Sequence, residues 1–319
     1  MPTLLSYIYL NIMKKNILLY IFLFIALQVG AISPTKYDYT QLSRQITSGC
    51  KSKYSQSLSI FKWICENISY DTSHQVSTAD DCLDRRKGVC QAYCELFYRL
   101  AEPLGLKTKI VRGMAKQVDG SISNQGHTWI VVQTETKKIL IDPTWGAGGV
   151  DNGAFVKNDN YMSWFDVDPY WLIFTHFPQY ELFQMISQPI DYDTFKKLPG
   201  NVRPFIGKYG LNAKKMYHKA LRGQLSLPIF YDVESANIKI VKMPLKNSLQ
   251  IGHLYEIVIQ KRTNDKIGLI NNGLIIEDEW HSDGSIYSIK FVPTSTKKIS
   301  LVINCGGNEY AHILSYDVK

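Results

Sequence analysis

The stretch from His127 to Asp142 limits what this chain can fold into more than any other. Trp129, Ile130, Val131 and Val132 form an aromatic and β-branched run, Thr134–Lys137 turns the chain, and Lys138–Asp142 is a second run closed by Pro143. Two strand-like runs joined by so short a turn pair antiparallel. Lys107–Ala115, with Thr108, Ile110 and Val111, reads as a further strand that Gly113 ends, and the Gly-, Ser- and Asn-rich segment Val118–Gly126 reads as a loop. Upstream the period changes. Val89, Tyr93, Leu96, Phe97, Leu100 and Leu104 recur at helical spacing, and Pro103 and Gly105 stop them. Ser55–Asn67 is a second helix, with Leu58, Phe61, Cys65 and Ile68 on one face and Ile64 beside it; Tyr37–Ser48 is a weaker one. Helices followed by antiparallel strands predict an α+β class.

The chemistry-bearing residues sit at the ends of these elements. Cys90 follows Gly88-Val89 in the first turn of its helix, where unpaired amides and the helix dipole favour a thiolate. His127 opens one strand of the hairpin and Asp142 ends the next, so pairing predicts them as cross-strand neighbours. A carboxylate that orients an imidazole, which in turn takes a thiol proton, is what a cysteine nucleophile needs. Each residue alone has a plainer reading: a core cysteine, a strand-end histidine, an Asp-Pro turn. Cys94, one turn after Cys90, and Cys65 are read as core.

The six cysteines have no repeated spacing and no Cys-x-x-Cys pair, which speaks against a zinc ribbon or a disulfide framework. No calcium-loop pattern is present, so neither a metal nor a cofactor is expected. At 319 residues and 45% hydrophobic content the chain suits about two folded domains. A net charge of +8, scattered apart from Arg85-Arg86-Lys87, comes with no nucleic-acid motif. Lys14-Lys15, the apolar run Ile17–Leu27 and Val29-Gly30-Ala31 make a basic, apolar and small-residue series, the pattern of a secretory signal peptide. Met13 is the tidier start. The run is short for a membrane span. A secreted, periplasmic or cell-surface protein with no stable span after cleavage is the expectation.

Taken together, Gly88-Val89-Cys90-Gln91-Ala92-Tyr93, Gly126-His127-Thr128-Trp129 and Asp142-Pro143-Thr144-Trp145-Gly146 resemble the transglutaminase-like cysteine-enzyme superfamily. Trp63-Ile64-Cys65 and Asn67-Ile68-Ser69-Tyr70-Asp71 resemble that family's lead-in, and the likeness covers roughly residues 55 to 150. It implies a papain-like α+β core with Cys90 as nucleophile, His127 as base and Asp142 as orienting acid. Thr128 stands where the family usually has a small residue such as alanine. Asp168-Pro169-Tyr170-Trp171 through Thr175-His176-Phe177-Pro178, then Phe195-Lys196-Lys197-Leu198-Pro199, resemble the extension of kyphoscoliosis-peptidase-like proteins. His176 is read there as structural.

Beyond Phe205 short β-like runs recur (Ile238–Val241, Tyr255–Gln260, Ile267–Ile270, Ile286–Val292, Ile299–Ile303, His312–Tyr316), with turns at Asn271-Asn272-Gly273, Asp283-Gly284 and Gly306-Gly307-Asn308. They predict an all-β, sandwich-like and immunoglobulin-like module. The expected organisation is a signal peptide (1–31), a catalytic domain (32–165), an aromatic-rich extension (166–204) and the β-module (205–319). The expected activity is a peptidase or amidase acting on protein or peptide through a thioester. A crosslinking acyltransferase and a non-catalytic scaffold on the same fold are the alternatives.

Overall fold

A computed structural model describes residues 36–234, 236–261 and 266–319. The expected signal peptide lies outside the described residues. Among the described residues no helix is long and apolar enough to cross a membrane. Tyr39–Lys319 forms one compact unit.

The first half is helical. Helix α1 spans Thr40–Ile46 and α2 spans Lys53–Asn67. A capping box starts α2: Ser52 Oγ accepts from the Ser55 N–H, and Ser55 Oγ accepts from the Ser52 N–H. Its buried face carries Ser57, Ile60, Phe61, Ile64 and Cys65. That face is rotated from the expected one, because Ile60 packs fully inside while Leu58 stays half-buried. Strand β1 (Ser69–Tyr70) pairs in parallel with β2 (Lys87–Gly88), across helix α3 (Ala79–Arg85). Helix α4 then runs Cys90–Ala101, and a 3-10 turn over Glu102–Leu104 ends at Gly105 with φ of 68°. Cys94 and Cys65 are buried, as read from their spacing.

The central sheet has the order β5-β4-β3-β8, all antiparallel: β3 Lys107–Ala115, β4 His127–Gln133, β5 Lys138–Ile141 and β8 His176–Pro178. Helix α4 packs on β3 and β4 and touches α2 and the short helix α5 (Pro143–Ala147). Every residue of β4 except Gln133 is buried, so this strand is covered on both faces. A hairpin of β6 (Gly148–Asp151) and β7 (Ala154–Lys157) follows α5 and stands largely exposed. The residues after it form helices α6 (Pro169–Leu172), α7 (Tyr192–Lys197) and α8 (Ala213–Leu221) around β8. Lys116, fully buried, donates from Nζ to the carbonyl oxygens of Phe195 and, at 2.6 Å, of Leu198, so the end of α7 is tied to the end of β3.

The remainder is two mostly antiparallel sheets. One has the order β10 (Ile238–Lys242), β12 (Tyr255–Lys261), β16 (Ile286–Phe291), β15 (His281–Asp283). The other has β11 (Ser248–Leu249), β18 (Glu309–Val318), β17 (Ile299–Gly306), β13 (Ile267–Asn271) and β14 (Leu274–Ile276), with β9 (Ile229–Phe230) on β18. Each has a buried apolar set, Ile257, Ile259 and Ile289 in the first, Leu269, Leu301 and Leu314 in the second. Asn272-Gly273 joins β13 to β14 with positive φ at both residues, the turn its sequence demands. Asp232 fastens this module to the helical part, accepting from Asn160 Nδ2 at 2.7 Å, Ser163 Oγ at 3.3 Å and Lys208 Nζ.

The tightest point of the sheet is Gly113, paired with His127 on one side and Pro178 on the other. A Cβ there would meet the Phe177 carbonyl oxygen at 2.1 Å and Trp129 at 2.7 Å. Gly113→Ala should therefore cost about 1–3 kcal/mol of unfolding free energy in urea titration. Gly149→Ala, with no neighbouring atom within 4 Å, should stay within about 0.5 kcal/mol of the parent. Equal costs at the two glycines would contradict the β3–β8 packing.

Candidate active site

Cys90 is the first residue of α4, and the Val89 N-cap makes no side-chain bond to the helix end. The leading amides of α4 are thus left facing the thiol side of the helix end. The approach is held rigidly. The Asp71 N–H donates to the Gly88 carbonyl at 3.0 Å, and the Val89 N–H to the Val76 carbonyl at 2.9 Å. Gly88 is needed for close packing: a Cβ there would lie 2.7 Å from Ala92 Cβ and 3.1 Å from Cys82 Sγ. Asp71 folds the intervening loop by accepting from Ser73 Oγ and the Gln75 and Val76 amides, and it pairs with Lys87 at 3.1 Å. The hydrogen bond from Ser73, with those from Lys87 and the two amides, holds the Asp71 carboxyl well below the usual carboxylate range.

Asp142 reaches the site by a route the hairpin alone does not provide. Strand β5 stops at Ile141, and the register Ile130↔Ile141, carried one step further, sets position 142 opposite Trp129. Asp142 is therefore not the direct cross-strand neighbour of His127. It leaves the strand to cap α5: Oδ1 accepts the Thr144 and Trp145 amides at 2.9 and 3.0 Å. Pro143 at the first helical position fixes the backbone for this turn. The other oxygen, Oδ2, accepts from His127 Nε2 at 2.7 Å and from His176 Nε2 at 2.9 Å. The carboxylate is wholly buried, with four donors on its two oxygens.

A carboxylate only accepts, so Nε2 of His127 carries a proton, and Nδ1 is the nitrogen left for Cys90. Burial disfavours charge on both partners and is opposed in each. The hydrogen bond and charge of His127, together with Thr128 lying against the sulfur, carry the Cys90 thiol below its ordinary pKa despite burial. Burial likewise works against charge on His127, but Asp142 and then Cys90 raise its pKa well above that of a free imidazole. Opposite shifts of this kind favour a thiolate–imidazolium pair at neutral pH. His176 goes the other way. Burial outweighs Asp142 and lowers it to about 4, so it stays neutral, with Nδ1 accepting a hydrogen bond from the Thr175 hydroxyl at 2.7 Å and Nε2 donating to Asp142.

His127, Asp142 and His176 are also a set of side chains that could hold a metal. The contacts of Asp142 Oδ2 to both imidazoles have ordinary hydrogen-bond lengths, and its Oδ1 and the His176 Nδ1 already have protein partners. This arrangement is complete as a hydrogen-bond network. Trp145 covers it, its ring 4.6 Å from His176 and 5.5 Å from His127, with Trp164 edge-on at 4.9 Å.

Cys90 and His127 open into a cleft with two lobes. One, of about 400 Å³, lies between Tyr70, Gln91 and Arg112; the other, of about 680 Å³, lies between Trp145, the β6–β7 hairpin and Arg203. A separate cavity of about 790 Å³, between Leu106, Val131 and Phe183, does not include the site. Sequence reasoning named Cys90, His127 and Asp142, and the fold brings all three together. It read His176 as structural, and its neutral imidazole does support Asp142; the Thr-His pair was the only signal. It missed Arg203, which no motif marks.

Residues 40–169 match the Transglutaminase-like superfamily. Kyphoscoliosis peptidase from Mus musculus and that from Homo sapiens are each 30% identical over 169 residues, covering 48% of this chain and 25% of the relative. The Lim and transglutaminase domain protein ltd-1 of Caenorhabditis elegans is 24% identical over 236 residues, covering 68% of this chain and 32% of its own length. The chain thus spans about a third or less of the curated relatives it matches.

Asp142 stays ionised in the fold at a pH where a free carboxyl, with a pKa of 3.8, is already protonated. The stabilisation it adds is complete above about pH 4 and fades as the pH falls through its lowered folded value. Asp142→Asn should cost about 3–5 kcal/mol at pH 7, since it sets amide hydrogens against buried N–H donors. The gap between parent and variant in urea titrations should narrow as the pH falls below about 4. A gap that stays constant with pH would show that the carboxylate charge does not hold the network.

Proposed function

We propose that Cys90, His127 and Asp142 act as the triad of a cysteine acyl-transfer enzyme, as the match of residues 40–169 to the Transglutaminase-like superfamily supports. The observation that carries this reading is the Cys90 thiol at a helix N-terminus against an imidazole whose far nitrogen a buried carboxylate holds at 2.7 Å. In the resting pair the thiol proton sits on His127. The thiolate attacks a carbonyl carbon of an amide, forming an S–C bond and a tetrahedral oxyanion, towards which the Cys90 amide at the helix start points its partial charge. Collapse breaks the C–N bond, and His127 Nδ1 gives its proton to the departing amine. The thioester then meets water or a second amine. His127 takes a proton from this acceptor, the new bond forms, and the thiolate is released. Asp142 keeps Nε2 protonated and stabilises the imidazolium throughout.

Water as acceptor makes a peptidase or amidase, and an amine makes a crosslinking enzyme. The likeness to kyphoscoliosis peptidase supports hydrolysis of protein or peptide substrates. The basic and apolar N-terminal series supports action outside the cytoplasm. The sandwich-like module, immunoglobulin-like in its run of short strands, is then a binding or packing module without chemistry of its own.

Iodoacetamide labelling of Cys90 across pH tests the reading. The rate should rise with an inflection well below the value of about 8.5 for a free thiol. His127→Ala should move that inflection upwards and slow labelling at pH 6.5 by about tenfold or more. Acyl-adducts captured from a peptide mixture should be present on the parent and missing from Cys90→Ala. A thiol that titrates like an exposed cysteine, unaffected by His127→Ala, would leave the protein as a scaffold.

A further inference from the structure

The larger lobe of the cleft contains a charge that no carboxylate among the described residues neutralises. Arg203 lies in the irregular segment between α7 and the 3-10 turn at Pro204–Tyr209, and its guanidinium stacks on the Trp145 ring at 4.8 Å. The same Trp145 ring lies 5.5 Å from His127, so one indole touches both the guanidinium and the candidate base. Among the described residues no carboxylate lies within ion-pair distance of Arg203, and no carbonyl accepts a hydrogen bond from it. Burial is enough to lower its pKa to about 10. Arg203 is half-buried, with its guanidinium lining the cleft, and a partly desolvated cation is ordinarily paired. Asp142 does not serve: both of its oxygens are filled by other donors. The acidic side chain among the residues lining this lobe is Asp151, which is exposed on the β6–β7 hairpin. Stacking on an aromatic ring leaves the edge of a guanidinium free, and that edge matches a carboxylate in a two-point contact.

We propose that Arg203 is the anion-binding residue of this cleft and takes a substrate carboxylate, so that the enzyme acts on acidic peptide segments. The inference rests on the acyl-transfer reading and adds its substrate class. Lys157, on the hairpin that walls the same lobe, and Arg112, in the smaller lobe, add positive potential along the path. The carboxylate can come from an Asp or Glu side chain or from a chain terminus, and the two sources are separable.

The test uses protection of Cys90 against iodoacetamide in the whole protein. Short acetylated and amidated Ala/Gly peptides carry one Glu at successive positions, matched peptides carry Gln, and a third set has a free C-terminus and no Glu. In the parent, at least one Glu peptide or one free-acid peptide should protect about tenfold better than its neutral match, the factor expected of one charge-assisted contact. Which set protects identifies the source. Arg203→Gln should erase the difference, and Arg203→Lys should retain part of it. Equal protection by charged and neutral peptides, no protection by any charged peptide, or a preference that survives Arg203→Gln would each overturn the role of Arg203. If Cys90 in the peptide-free protein reacts no faster than an ordinary exposed thiol, the acyl-transfer reading fails and this inference falls with it. Fast labelling without a charge preference removes only this inference.

Discussion

One buried carboxylate joins the two halves of the site. Asp142 accepts two backbone amides on one oxygen and two imidazoles on the other, so it both closes a helix and orients the candidate base. The helix cap is what lets a charged group sit at full burial, since amides at a helix start are aligned donors. The two imidazoles compete for the same oxygen but not for the same charge. Burial keeps His176 neutral, so the carboxylate charge is available to the His127 imidazolium.

The rest of the half that carries the candidate site supports that geometry. Helix α4 brings Cys90 to the open end of the sheet, and Gly88 permits the close turn that starts it. Gly113 lets β8 approach β3 closely enough for His176 to reach Asp142. The aromatic cover of Trp145 and Trp164 keeps water from the imidazoles, which strengthens each hydrogen bond beneath it. Lys116, held by carbonyls at the end of α7, fixes the segment that leads towards Arg203.

Much of this was legible in the sequence, for identifiable reasons. The α4 period, the β4–β5 hairpin and the Asn272-Gly273 turn are local signals, set by side-chain spacing and by backbone sterics within a few residues. Cys90, His127 and Asp142 were readable because each stands at the edge of such an element. What was not readable depends on chain distance. The pairing of β3 with β8 joins residues about sixty positions apart, and nothing near His176 or Arg203 says which carboxylate or ring it will meet. The expected strand-end Asp142 was misplaced for a smaller reason: Asp-Pro both ends a strand and caps a helix, and the Thr144 and Trp145 amides decide between the two. The rotated face of α2 follows from the depth at which Ile60 packs, which periodicity cannot fix.

The cap on α5 makes reactivity conditional on folding. Until Pro143–Ala147 turns into a helix, the carboxylate has no amides to hold it, the imidazole has no fixed partner, and the thiol has no reason to ionise. A nascent or partly unfolded chain therefore presents Cys90 as an ordinary thiol, slow to oxidise and slow to be alkylated. Cys90 is least reactive while the protein is least finished.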